Sequence, residues 1–63
     1  MNTEFVVVRD TMINMAYVSM VKVTETAVTI YIVGVAEPVV LAGAERAYFL
    51  RWLQRAGWIE ESR

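Results

Sequence analysis

Apolar residues recur along this chain in two different rhythms. From Glu4 to Leu41 they come in short runs of Val, Ile, Thr, Tyr and Phe, broken at close intervals by polar or small residues. β-branched and aromatic side chains fit a pleated, half-buried surface, so the runs predict strands over residues 4–9, 17–24, 28–33 and, briefly, 39–41. Glu25-Thr26-Ala27 has the length of a hairpin connection. Residues 34–38 hold the only proline, Pro38, where a strand begins or lies at a sheet edge. Links this short favour an antiparallel meander.

Residues 10–16 carry a mixed signal. Asp10-Thr11 could cap a helix bearing Met12, Ile13, Met15, Ala16 and Met20, but Ile13, Val18, Val21 and Val23 are β-branched and favour extension. A turn with a short strand or a single helical turn is the preferred reading. The last third has helical composition over residues 44–56, with Gly43 as N-cap, Glu45 in the first turn, and Arg51 and Arg55 near the negative end of the dipole. Gly57 then falls at the C′ position and Trp58 at C″, which brings Trp58 against Leu53 in a Schellman ending.

On a helical wheel Phe49, Trp52, Leu53 and Ala56 form the stripe that should pack on the sheet, flanked by Tyr48 and Leu50. The apolar arc spans roughly 200°, about twice what a half-buried helix needs. The strands repeat the excess. In residues 28–33, Val28, Ile30 and Ile32 share one face while Thr29, Tyr31 and Val33 share the other; in the first strand Phe5 and Val7 oppose Val6 and Val8. A sheet with one wet face alternates apolar with polar, and these do not. One helix covers one face, so the pattern predicts a homodimer or larger assembly, with Tyr48, Leu50, Trp52 and Trp58 as interface residues on the helix side.

Size sharpens the point. The chain has 63 residues, 57% of them hydrophobic. Area scaling buries about 6,300 Å² on folding, worth on the order of 95 kcal/mol if about 60% is apolar, against roughly 95 kcal/mol for ordering the chain. A monomer therefore balances near zero, and the absence of Cys removes the disulfide remedy.

Composition also narrows the chemistry. Without His or Cys, acid–base work at neutral pH, thiol chemistry and the usual zinc or copper sites lack their main residues. The acidic residues form no recognisable catalytic pair, Ser19 and Ser62 have no base, and the three glycines are isolated. The chain is read as a non-enzyme with no cofactor, metal or catalytic residues. A net charge of −1 gives no long-range pull toward nucleic acid or anionic membranes. The aromatic and arginine residues Arg46, Tyr48, Arg51, Trp52 and Arg55 could suit nucleic acid, but Arg46 points away from Arg51 and Arg55 on the wheel. Met12, Met15 and Met20 read as core fillers before they read as a binding surface. The uncharged runs are too short to cross a membrane, and Met1-Asn2-Thr3-Glu4 is no signal-peptide start, which makes a cytoplasmic protein the expectation.

The succession Met12-Ile13-Asn14-Met15, Val18-Ser19-Met20-Val21, Val28-Thr29-Ile30 and Val39-Val40-Leu41-Ala42-Gly43, closed by an aromatic helix, resembles the layout of many short bacterial and phage proteins. In those a small β-meander carries one C-terminal helix, and the resemblance implies a helper or assembly module, not an enzyme. The expected architecture is one α+β domain over residues 1–63: an antiparallel sheet of three or four strands with the helix across one face. The expected function is protein association, most simply self-association, with another protein partner possible. A nucleic-acid accessory protein and a carrier of a small apolar ligand are the alternatives.

Overall fold

The structure, a computed structural model, describes residues 5–59. It is α+β, with two small antiparallel sheets and one helix near the C-terminal end. Strands β1 (Phe5–Val8) and β2 (Thr11–Asn14) form a hairpin; a 3-10 turn (Met15–Tyr17) leads into β3 (Val18–Val23), β4 (Ala27–Ile32) and β5 (Val39–Ala42). These last three make the second sheet with β4 in the middle, and α1 (Gly43–Arg55) follows at once. The sequence pattern predicts a single sheet of three or four strands. The fifth strand is β2, and it pairs with β1 alone. Residues 10–16 thus supply both the short strand and the helical turn between which the sequence leaves a choice.

The β1–β2 turn explains why that pairing is hard to foresee. Val8 stands opposite Thr11, so only Arg9 and Asp10 make the turn, and Arg9 takes a φ of 56°. Glycine normally occupies the first central position of such a hairpin, because a Cβ there costs on the order of 1 kcal/mol. The Arg9 guanidinium reaches Glu45 in the first turn of α1 at 3.2 Å, an exposed pair that helps hold the hairpin beside the helix.

Alternation is orderly in β1, β2, β4 and β5. Val6, Val8 and Ile13 point inward from the hairpin, and Val28, Ile30 and Leu41 from the larger sheet. With Met15, Phe49 and Leu53 they form one continuous core, and Phe49, Val28 and Ile30 are wholly hidden from solvent. Both sheets and the helix therefore share a single interior.

Two irregularities shape β3. Val18 pairs with Ile32 and Met20 with Tyr31, which leaves Ser19 as an extra residue whose Oγ donates to the Tyr31 carbonyl at 3.2 Å. This bulge shifts the phase of the strand, so Val21 and Val23, not Met20 and Lys22, continue the inward face begun by Val18. At the other end Thr24 organises the hairpin: its Oγ1 accepts from the Ala27 amide at 3.1 Å, and its amide donates to the Ala27 carbonyl.

Helix α1 starts and stops for separate reasons. Ala42, the residue before it, offers no side-chain cap, and Gly43 enters with a φ of 60° that L side chains resist. At the far end Ala56 is the C-cap, Gly57 has a φ of 83°, the Gly57 amide donates to the Gln54 carbonyl, and the Trp58 amide donates to the Leu53 carbonyl at 2.9 Å. This is the Schellman pair of hydrogen bonds expected from Gly57-Trp58. Ala56, placed on the packed stripe by the wheel, is exposed because the chain turns away there.

A Cβ on Gly57 would meet no atom within 4 Å, so Gly57→Ala isolates the backbone cost. It should destabilise the fold by about 1 kcal/mol, a fall of about 4–8 °C in the thermal midpoint. An unchanged midpoint in calorimetry would remove the left-handed ending.

Candidate interaction surfaces

What the fold leaves uncovered is apolar on several sides. The outer face of the hairpin presents Phe5, Val7 and Met12, each about half exposed or more. The outer face of the larger sheet presents Met20 and Val40 around a half-buried Tyr31, and Val33 is exposed in the turn after β4. Of the methionines, Met15 fills the core as expected, whereas Met12 and Met20 stand in solvent.

The four interface residues expected on the helix side do not form one patch. Tyr48 is exposed and lies with Ala44, Ala47, Arg51, Trp52 and Arg55 along a shallow groove of about 390 Å³ on the solvent side of α1. Trp58 is exposed at the other end, against β3. Leu50 and Trp52 are half-buried and packed on the core. The hairpin supplies a second wall for the helix, and this accounts for much of the wide apolar arc.

The charged residues are dispersed. Arg46 is committed at the surface of the fold, since its Nε and one terminal nitrogen donate to the Thr24 carbonyl at 3.1 and 2.7 Å and tie the first turn of α1 to the β3–β4 hairpin. Arg51 and Arg55 do share the helix groove with Tyr48 and Trp52, as the wheel indicates. Among the described residues no three acidic side chains gather where they could hold a metal ion, and Ser19 is engaged with the β4 backbone. No described helix is long and apolar enough to cross a membrane.

A second groove, of about 260 Å³, was not signalled by any single motif. One wall is β3 itself, through Val18, Ser19, Met20, Val21 and Val23; the other is Met15, Leu53, Trp58 and Ile59. Residues from both faces of β3 line it, so the groove follows the edge of the strand. Among the described residues that edge is open, because β3 pairs there only with β4. None of the lining residues is charged.

Comparison with protein-family models, with curated proteins and with solved structures finds no match for this chain.

Proposed function

We propose that this chain is a small association module whose first partner is itself, as a homodimer or larger assembly in the cytoplasm, with no catalytic step of its own. The observation that supports this reading most is the distribution of its surface: the outer faces of both sheets and the β3 edge carry large apolar side chains at about 40% exposure or more. Soluble monomers rarely leave contiguous apolar patches open on this scale, and such patches mark protein contacts. Two distinct sheets over one helix leave two outer faces that the described residues do not cover.

A second reading has its own support in the helix groove, where Tyr48 and Trp52 beside Arg51 and Arg55 could stack on bases and contact phosphates of a single strand. Salt separates the two. Sedimentation at low and high salt should give self-association that persists or strengthens as salt rises, because burial of apolar surface drives it. Fluorescence anisotropy with a short labelled single-stranded DNA should show no binding at micromolar protein. Tight DNA binding that weakens steeply with salt would reverse the order of the two readings.

A further inference from the structure

We infer that the second copy docks on the open edge of β3, antiparallel to it, so that two three-stranded sheets become one six-stranded sheet. This rests on the self-association reading and names the surface through which it acts.

Edge strands present unpaired backbone N–H and C=O groups and are normally blunted by charge, proline or shortness. β3 is six residues long, contains no proline and has one charged residue, Lys22. The bulge at Ser19 disturbs only its first part, leaving Met20–Val23 regular. The uncharged apolar groove beside this edge suits an extended apolar segment, and the strand that lines it is one.

Area supports a second copy as occupant. Met20, Val23 and Trp58 are 49%, 51% and 49% exposed and Ile59 is 39% exposed around this edge. At roughly 150–250 Å² for a large side chain, they offer about 380 Å² per copy. Two copies, with the backbone edge and the stem of Lys22 added, reach about 1,000 Å², the lower bound for a specific interface.

The register follows from the faces. Met20 and Lys22 point outward and Val21 and Val23 inward, and a copy extends the sheet only when residues of the same face stand opposite each other. A pairing centred on Lys22 would set Lys22 against Lys22 of the second copy. Centred on Val21, it sets Lys22 against Met20 of the second copy, with no like charges directly opposed. Val23 of the second copy then meets Ser19, a small side chain at the bulge. The inward valines of each copy lie over Leu53 and Trp58 of the other.

Met20 is exposed, so its substitution tests the contact without disturbing the core. Met20→Lys places two lysines opposite each other twice in the dimer; Met20→Glu places two opposite charges there. Light scattering across a dilution series should show Met20→Lys associating at least tenfold more weakly than Met20→Glu, and Met20→Glu at least as tightly as wild type. Adding Lys22→Glu to Met20→Lys should restore the affinity. If wild type associates but the Lys and Glu variants do not differ, or the double variant is not rescued, the β3 pairing is overturned and self-association stands. If wild type remains a monomer throughout, both fall.

Discussion

Phe49→Ala should remove at least about a third of the stability of this fold. Phe49 is fully buried where α1 meets both sheets, and truncating an enclosed aromatic costs about 3–5 kcal/mol in lost transfer energy and residual cavity. At about 0.05–0.15 kcal/mol per residue, a domain of 63 residues holds roughly 3–9 kcal/mol in all. The substitution therefore removes about a third of what is there at the upper end of that range and all of it at the lower end. Urea unfolding followed by far-UV circular dichroism should find no folded baseline, or a midpoint lowered by at least about a third of the wild-type value. A loss under about 1 kcal/mol would mean that the helix is not the lid of this core.

Ile13→Ala should be nearly as damaging, at about 2–5 kcal/mol, although Ile13 belongs to the separate two-stranded sheet. Ile13 pairs with Val6 and enters the same cluster as Val28, Ile30 and Leu53, so the hairpin forms one wall of the shared interior. A two-stranded hairpin is at best marginal alone, and here its stability comes from that cluster. Hydrogen exchange on the variant should show protection falling together in residues 5–14, in β4 and in α1. Loss confined to residues 5–14, with β4 and α1 still protected as in wild type, would make the hairpin an appendage.

The parts legible in the sequence are those where local chemistry and tertiary packing agree. Val28, Ile30 and Leu41 occupy strands where their composition places them, and Gly57-Trp58 with Leu53 forms the helix ending that the spacing implies. The hairpin was hidden because Arg9 adopts the left-handed backbone with no glycine to announce it. The phase of β3 was hidden for a different reason: Val18, Val21 and Val23 share a face only because Ser19 bulges, so simple alternation misassigns Met20 and Lys22. The hairpin gives α1 a second wall that its own periodicity does not announce. Leu50 and Trp52 find much of their cover within the chain, whereas Val23 on the inward side of β3 stays half exposed because β3 lies at an edge, which depends on strand order and on no local signal.

The arc of the helix is thus partly satisfied internally, but the outer faces of both sheets are not. Phe5, Val7 and Met12 on one and Met20 and Val40 on the other remain open to solvent, and their burial is what association would add. Light scattering on the wild-type chain from millimolar to low micromolar concentration tests this most directly. Self-association predicts a mass of at least twice 7.2 kDa at the upper end that falls on dilution or holds at a fixed multiple. A mass of 7.2 kDa at every concentration, with cooperative unfolding, would contradict it.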